Sequence, residues 1–259
     1  MIRDIPVSIQ KEIRLLHRKK GRDDKQKFFV EGTRIVKEAI KENVEIDYVV
    51  ITDLIEKTHL LVKLLEDRGV DIYVSTDKVM KELSDTDTPQ GIIAVIPYLK
   101  NVDNPYDDVV LVLDSIQDPG NMGTILRTAD AAGVSRVIMS KGSVDVYNPK
   151  VLRSTMGSIF RVPIERHSDL ESTILELKRE GYITLAMHLK GQKNYYDVNL
   201  RNKVVIVVGN EANGMKDNIA NVCDELVKIP MRGRIESLNA SVSASIMMYE
   251  VLRQKMKSI

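Results

Sequence analysis

Residues 109–127 read VVLVLDSIQDPGNMGTILR, and this stretch decides how the second half of the chain folds. The five apolar residues from Val109 to Leu113 predict a strand that is buried on both faces, as strands of parallel sheets are. A polar loop with Asp118 and Pro119 follows, and it leads into an apolar pattern of helical period. This order predicts one unit of a parallel α/β sheet, in which ligands bind beyond the carboxyl ends of the strands.

The same alternation of short apolar runs and helical patterns extends along all 259 residues. It predicts the α/β class, with two α/β domains around mostly parallel sheets. The segment 97–106 between the two halves gathers two prolines, two asparagines and charges, and it is predicted to be a linker. We therefore expect one α/β domain at residues 1–97 and a second at residues 106–259.

Hydrophobic periodicity also predicts the individual elements. In the first half it predicts helices near residues 9–16, 35–40 and 58–68, and strands at 28–30, 46–51, 71–75 and 92–96. In the second half it predicts strands at 109–113, 136–140, 182–188, 204–208 and 225–229, a helix that follows the loop 119–123 and ends at residue 132, and helices at 149–158, 170–180 and 238–257.

Composition and charge exclude several classes of protein. With 43% hydrophobic and 29% charged residues, the chain can bury a core without disulfides or metals. The single cysteine, Cys223, cannot form an intrachain disulfide, and the first residues lack the pattern of a signal peptide. The longest apolar runs are five residues, about a quarter of the roughly 20 that a membrane helix needs. A reduced, cytoplasmic protein is expected.

The charge of the whole chain is only +1, so any surface for nucleic acid must be a local patch. Residues 1–27 contain nine basic and four acidic residues, which gives this segment a net charge of +5. Such a segment is typical of a phosphate-binding patch, and the alternative is a solvated surface helix. Three Phe, nine Tyr and no Trp argue against a base-stacking platform and favour structured RNA. The candidate RNA-binding residues are Arg18, Lys19, Lys20, Arg22, Lys27 and Arg153.

The loop Asp118-Pro-Gly-Asn-Met-Gly-Thr-Ile-Leu-Arg127 fits neither the dinucleotide fingerprint nor the phosphate-loop pattern. It predicts a helix start with Asn121 as the N-cap, where free backbone N–H groups suit an anion. Arg127, just under two turns into this helix, could reach the same anion. The alternative interpretation is that Asn121 only caps the helix and Arg127 is solvated.

Two further polar stretches follow predicted strands. Glu211 lies in the loop Gly209-Asn-Glu-Ala-Asn-Gly214, and we interpret it either as the partner of a cation or as a carboxylate stabilised by the next helix. The stretch from Ile229 to Ala244 contains a glycine loop that could expose backbone groups to a ligand. Its second half carries small polar residues at alternate positions, which favour close packing or contact with a polar ligand: Ser237, Asn239, Ser241, Ser243 and Ser245.

Taken in order, the three stretches resemble the SpoU/TrmH family of the SPOUT methyltransferases. The matching residues are Asp118-Pro-Gly-Asn-Met-Gly-x-x-x-Arg127, Gly209-Asn-Glu211-x-x-Gly214 and Ile229-Pro-Met-x-Gly233-x-x-x-Ser237-Leu-Asn239-x-Ser-Val242. Each motif alone is weak, and the ordered set of three is specific. The N-terminal half is similar, more loosely, to the RNA substrate-binding domain that often precedes it, through Phe28-Phe-Val-Glu-Gly-Thr-Arg-Ile-Val36.

The resemblance implies an S-adenosylmethionine-dependent enzyme that methylates a ribose 2′-hydroxyl in RNA. It also implies a trefoil-knotted C-terminal domain that holds the cofactor, and a homodimer. As catalytic residues it implies Arg127, Asn121, Glu211, Ser237 and Asn239, with Arg127 a positioner and charge stabiliser before it is a base. As cofactor-binding residues it implies Gly209, Ile229, Met231 and Leu238.

Ribosomal RNA is the favoured substrate, and 23S rather than 16S, because a separate binding domain helps to find one region in a very large RNA. Transfer RNA methylation, a base methyltransferase and a non-catalytic RNA-binding protein with the same fold are the alternatives. The retained set of Arg127, Glu211 and Asn239 counts against the last of these. No metal is expected, because the four histidines and Cys223 are scattered: His17, His59, His167 and His188.

Overall fold

Two separate β-sheets organise the chain, one of five strands and one of seven. The structure is a computed structural model that describes residues 2–56, 59–100, 108–210 and 214–256, and for Leu54, Glu56 and His59 only the backbone. The chain divides into an N-terminal unit, Met1–Lys100 with Asp145–Arg161, and a C-terminal unit, Asn101–Val144 with Val162–Ile259. The predicted linker falls largely on residues 101–107, which lie outside the described part, so the predicted domain boundaries stay predictions.

The helices and strands follow one another in α/β order. The first hundred residues form β1 (Ile2–Asp4), α1 (Val7–Leu16), α2 (Lys19–Lys25), β2 (Lys27–Glu31), α3 (Thr33–Lys41), β3 (Tyr48–Ile51), α4 (Asp53–Glu56), α5 (His59–Asp67), β4 (Asp71–Val74), α6 (Asp77–Leu83) and β5 (Ile92–Pro97). The remaining residues form β6 (Val109–Leu113), α7 (Pro119–Ala132), β7 (Arg136–Ser140), α8 (Pro149–Thr155), β8 (Ile164–His167), α9 (Leu170–Arg179), β9 (Ile183–Met187), β10 (Lys193–Asn194), β11 (Val204–Val208), α10 (Asp217–Val222), β12 (Glu225–Lys228) and α11 (Ala240–Met256).

The sheet of the N-terminal unit has the strand order β1-β4-β3-β5-β2. The pairs β1–β4 and β3–β4 are parallel, whereas β5 is antiparallel to both β3 and β2. This sheet is therefore mixed, and the expectation that it would be mostly parallel was wrong. An apolar run predicts a buried strand but carries no information about the direction in which that strand runs.

The sheet of the C-terminal unit is parallel in every described strand pair, with the order β10-β12-β9-β11-β6-β7-β8. At its centre β6 and β11 pair in register from Val109 with Val204 to Leu113 with Val208, and all ten residues are buried. Because the strands are parallel, β6, β9, β11 and β12 end at one edge of the sheet, which we call the carboxyl edge. This confirms the α/β class and the parallel sheet that residues 109–127 predict.

Most predicted elements are confirmed, and the missed ones are short and charged. The helix with Ile35, Val36, Ala39 and Ile40 facing inward is present as α3, and all four side chains are buried. The missed elements include α2, which reads KKGRDDK, and β8, which reads IERH. Neither segment has an apolar periodicity. Their structure therefore depends on contacts with the rest of the fold, which a local sequence pattern does not show.

Residues 145–161 belong to the N-terminal unit although they follow β7 in the sequence. The ring of Tyr147 stacks on Phe28 with 4.4 Å between centroids and on Tyr98 at the same distance. The side chains of Val151 and Leu152 on α8 are buried. The predicted division of the chain at residue 106 therefore leaves out a segment that completes the core of the N-terminal unit.

A buried ion pair ties this segment to α2. The Arg22 side chain is 3% exposed, and its Nη2 donates to Asp145 Oδ2 at 2.6 Å. Its Nη1 donates to the carbonyl oxygens of Leu16 and His17 at 2.8 and 3.0 Å. A buried guanidinium needs its charge neutralised and its N–H groups bonded, and these three residues meet both needs.

We predict that Arg22→Met lowers the free energy of unfolding of the N-terminal unit by about 3–5 kcal/mol, because Asp145 is left mostly buried without its counter-charge. The matched control is Lys19→Met, which removes an exposed pair with Asp23 and should change stability by less than about 1 kcal/mol. Hydrogen–deuterium exchange of peptides from β2 and α8 measures the change in stability of each variant. Equal exchange in the two variants would show that the Arg22 pair contributes no more than a surface pair.

Candidate functional site

The three polar stretches singled out in the sequence lie at the carboxyl edge of the seven-stranded sheet. The first follows β6, the second follows β11 and the third follows β12. All three strands are parallel members of one sheet, so their following loops emerge on the same side. The fold thus brings together segments that are about a hundred residues apart in the chain.

The first loop ends in the N-terminus of α7, and the cap of this helix is Asp118. Its Oδ1 accepts a hydrogen bond from the backbone N–H of Asn121 at 2.7 Å. The prediction that Asn121 is the N-cap was wrong, because Pro119 takes the first helical position and makes the preceding residue the cap. The side chain of Asn121 is therefore available for a tertiary contact.

This contact joins the starts of α7 and α11. The Asn239 amide donates from Nδ2 to Asn121 Oδ1 at 2.9 Å. The Oδ1 atom of Asn239 accepts from the backbone N–H groups of Ser241 at 2.9 Å and of Val242 at 3.4 Å, so Asn239 also caps α11. Two helix N-termini, each with a partial positive charge, consequently meet at one point and favour a negatively charged group there.

Close packing of α7 and α11 explains part of the small polar stripe. Ser241 is buried, and Ser245 Oγ lies 3.1 Å from Thr128 Oγ1 on α7. Ser245 also donates to the carbonyl oxygen of Ser241 at 2.7 Å. For these two serines the structure supports the packing interpretation, whereas Ser237 is exposed and precedes the helix.

Arg127 lies on α7 six residues after Asn121 and is exposed. It has no hydrogen bond or ion pair with any residue of the described segments. Side chains of a helix lean toward its N-terminus, so Arg127 leans toward the start of α7. The exposed guanidinium adds a positive charge to α7 that can attract an anion.

The second loop approaches its own backbone so closely that only glycine fits at position 209. A Cβ on Gly209 would lie 2.4 Å from the backbone nitrogen of Met215. The loop closes through two backbone hydrogen bonds of 3.0 Å between Asn210 and Gly214, and Asn210 Nδ2 donates to the carbonyl oxygen of Ser115 at 2.7 Å. Glu211 lies among residues 211–213, outside the described part of the chain, so its role stays a prediction.

The third stretch, residues 229–239, has no regular secondary structure. Its apolar side chains Ile229, Met231 and Leu238 are half-buried. The backbone N–H and C=O groups of residues 231–238 form no hydrogen bond with the rest of the described chain. The stretch therefore combines apolar side chains with free backbone donors and acceptors, as a binding loop for an organic ligand does.

The sequence analysis missed Asp114, which directly follows β6 and is 2% exposed. Its Oδ1 accepts from Ser115 Oγ at 3.0 Å, and its Oδ2 accepts from the backbone N–H of Lys216 at 3.4 Å. Asp114 thus fastens the β6 loop to the segment after residue 214. The signal was present in the sequence, because an acid at the end of a buried strand was the reason for singling out Glu211.

The predicted RNA-binding residues all lie in the N-terminal unit, and their surroundings differ. Arg18 and Lys20 are exposed, and Lys19 is exposed beside Asp23. Burial alone would lower the pKa of Lys27, but its hydrogen bonds to Asp47 and Glu12 raise this pKa above its ordinary value. The remaining two make ion pairs: Arg22 with Asp145, in a buried position, and Arg153 with Asp85 at 2.7 Å.

The described segments contain neither a metal-binding cluster nor a cysteine activated as a thiolate. They contain no group of three or more His, Cys, Asp or Glu side chains that could hold a metal ion. Burial raises the pKa of the Cys223 thiol to about 12, so this thiol stays protonated at neutral pH. No helix in the described ranges is long and apolar enough to cross a membrane.

Comparison with known proteins identifies similar sequences and folds. The model of the SpoU rRNA Methylase family matches residues 108–249, and that of the MRM3-like substrate binding domain matches residues 9–94. The 23S rRNA (guanosine(2553)-2'-O)-methyltransferase RlmP of Bacillus subtilis is 33% identical over 93% of this chain and 94% of its own. A putative TrmH family tRNA/rRNA methyltransferase of Staphylococcus haemolyticus is 36% identical over 86% of this chain and 94% of its own. The crystal structure of an AdoMet-bound rRNA methyltransferase from Sinorhizobium meliloti matches with a TM-score of 0.86 and 30% identity, over 97% of this chain and 98% of that one.

We predict that Asn239→Ala destabilises the first turn of α11 by about 1–2 kcal/mol, because it removes both the cap and the bond to Asn121. Asn239→Asp keeps a capping oxygen and should stay within about 0.5 kcal/mol of the original protein. Exchange rates of the amide protons at residues 241–243 measure the difference. Equally fast exchange in both variants would show that the bond to Asn121, not the cap, holds the helix start.

Proposed function

This chain belongs to the SpoU rRNA methylase family, and we propose that it transfers a methyl group from S-adenosylmethionine to a ribose 2′-hydroxyl of ribosomal RNA. One observation carries the proposal. The carboxyl edge unites a glycine-fixed loop, a loop with free backbone groups and two joined helix starts, and one of these helices, α7, also carries the exposed Arg127. This combination suits a flat organic cofactor next to a phosphate-bearing acceptor.

The residues at the carboxyl edge fit S-adenosylmethionine. We propose that Gly209, Ile229, Met231 and Leu238 hold it, the first through its backbone in the loop that closes against Met215 and the other three through half-buried apolar contact. The backbone groups of residues 231–238 would bond the polar edge of the adenine. The bound cofactor supplies a methyl group activated by a sulfonium, so the protein needs only to orient the acceptor and accommodate its proton.

The ribose 2′-hydroxyl would give up its proton to water, and negative charge would develop on its oxygen while the proton leaves, before the oxygen bonds the methyl carbon and the bond from that carbon to sulfur breaks. The starts of α7 and α11, joined through Asn121 and Asn239, stabilise this charge. The planar guanidinium of Arg127 matches the geometry of a phosphate, so we assign it first to holding an RNA phosphate and stabilising charge. Glu211 and Ser237 complete the proposed set of catalytic residues on the strength of their motif positions.

For the substrate we propose 23S ribosomal RNA, since a relative that is 33% identical carries that substrate in its name. Other relatives are named for transfer RNA as well as ribosomal RNA, so the transfer-RNA alternative remains a proposal. We assign RNA binding to the predicted domain 1–97, which contains the match to a substrate-binding family model. Its exposed basic residues Arg18, Lys19 and Lys20 supply phosphate contacts, and the enzyme would work in the cytoplasm.

We also propose that the chain forms a homodimer through α11. Three large apolar side chains on this helix are exposed, namely Val242 at 45%, Tyr249 at 50% and Met256 at 65%. They are spaced seven residues apart, which places them along one side of the helix. Exposed apolar side chains along one side of a helix are typical of an interface between helices.

We predict that Arg127→Ala lowers the rate of methyl transfer at least about 100-fold while the affinity for S-adenosylmethionine changes by less than about twofold. The assay is transfer of labelled methyl from S-adenosylmethionine to unmodified total RNA fractionated by size. Label in a bond that resists alkali identifies the ribose 2′-oxygen. Arg179→Ala on the exposed part of α9 is the matched control and should transfer at the original rate. An unchanged rate in Arg127→Ala would remove this residue from the mechanism.

We predict that Tyr249→Glu converts the dimer into a monomer, because a carboxylate would be buried in an apolar interface. Sedimentation velocity at micromolar concentration measures the mass. Leu60→Glu, at an equally exposed apolar position on α5, should leave the dimer intact. A dimeric Tyr249→Glu protein would place the interface on another surface.

A further inference from the structure

The N-terminal unit contains a cavity of about 490 Å³ that the carboxyl edge does not share. Its apolar lining includes Ile35 on α3, and Leu152 and Met156 at the end of α8. Its polar lining includes Arg34, Thr88, Gln90 and Arg153. The volume lies in the range of about 300–1,000 Å³ that is typical of small-ligand sites.

The one carboxylate that lines the cavity is already engaged. Glu31 Oε1 accepts from Ser84 Oγ at 2.5 Å and from Thr86 Oγ1 at 2.6 Å, and Oε2 accepts from the backbone N–H of Asp85 at 3.2 Å. Glu31 therefore organises the loop after α6 and leaves little capacity for a cationic ligand. Arg153 pairs with Asp85 at the same loop.

Three other polar side chains of the lining are available to a ligand. Arg34, Thr88 and Gln90 are exposed and form no hydrogen bond or ion pair within the described ranges. A free guanidinium, a hydroxyl and an amide thus lie beside an apolar surface. The guanidinium suits a phosphate, and the amide can donate and accept at the same time.

The Gln90 amide lies close to the start of α3. Gly32 has a φ of +109°, and a Cβ at this position would lie 2.7 Å from Gln90 Oε1. The side chain of Gln90 therefore occupies the space that glycine leaves open at the start of α3. The amide therefore lies at the cavity with its donor and acceptor groups unbonded within the described ranges.

We propose that this cavity binds one unpaired nucleotide of the RNA substrate, away from the methylated ribose. The base lies against the half-buried side chain of Met156, Gln90 bonds its edge, and Arg34 contacts a flanking phosphate. Proteins recognise RNA sequence mainly through bases that are splayed out of a loop or bulge, and such a base offers this combination of an apolar face and a polar edge. The inference rests on the proposed function, because it takes the ligand to be the RNA that the enzyme methylates.

The position of the lining residues in the sequence adds to the argument. Gln90 and Arg34 lie in the part matched by the substrate-binding family model, whereas Leu152 and Met156 lie in the part matched by the methylase family model. A nucleotide in the cavity contacts both. RNA recognition therefore involves α8 and is not confined to the basic residues near the N-terminus.

The test combines protein variants with RNA variants. In a ribosomal RNA fragment that the protein methylates, each unpaired nucleotide is replaced in turn by an abasic one, and RNA affinity is measured. One abasic position should weaken binding to the original protein about 10-fold, a typical loss for one base contact. Gln90→Ala should weaken binding of the intact fragment by a similar factor and show no further loss with that abasic RNA. Arg34→Ala should weaken binding of every fragment alike, as loss of a phosphate contact does.

The matched control is Lys37→Ala, which removes an exposed cation from α3 outside the cavity and should alter affinity less than about twofold. If the protein methylates the fragment and Gln90→Ala binds it normally, the cavity proposal fails and the proposed function stands. If the protein binds RNA without methyl transfer, the proposed function fails, and the abasic series still tests the cavity on any bound fragment. If Gln90→Ala weakens the binding of a free nucleoside monophosphate and leaves RNA affinity unchanged, the cavity is assigned to a free nucleotide and the proposal is overturned.

Discussion

The parallel pairing of β6 with β11 is the constraint on which the rest of the C-terminal unit depends. Both strands consist of five apolar residues that are buried on both faces of the sheet. Neither strand could therefore lie at the edge of the sheet or turn one face to solvent without exposing apolar side chains. Parallel strands cannot be joined by a tight turn, so long crossovers must separate them in sequence. The pairing therefore places the loops after Leu113 and Val208 side by side, with Asn210 bonded to Ser115 across them.

At the carboxyl edge, the backbone and the side chains have different roles. Glycine at position 209 and the irregular residues 231–238 leave the backbone free, which suits a cofactor that all members of a family share. Asn121 and Asn239 fix two helix starts against each other, so that their dipoles add at one place. Arg127, which has no hydrogen bond or ion pair with any residue of the described segments, remains available to a substrate.

Sequence reasoning succeeded where the local pattern and the tertiary environment agree. Apolar runs such as Val204–Val208 and periodic helices such as α3 carry their own signal, and the three ordered motifs identified the family. It failed where a distant residue decides the outcome. Arg22 lies in a segment whose composition is typical of a solvated helix. Only the fold shows that its buried side chain pairs with Asp145, 123 residues away. The same holds for Asn121, whose side chain gains its role from Asn239, and for β5, whose direction no apolar run records.

The inclusion of residues 145–161 in the N-terminal unit limits how the chain can be divided. The two parts are not interchangeable modules separable at one cut, because a fragment that ends near residue 100 retains the Arg22 guanidinium and loses its counter-charge. A complementary fragment keeps Val151 and Leu152 without the strand that covers them. Recombination between relatives would therefore preserve folding only when the segment between β7 and β8 is inherited together with the N-terminal unit. The segments that fold together in the N-terminal unit are thus not contiguous in the sequence.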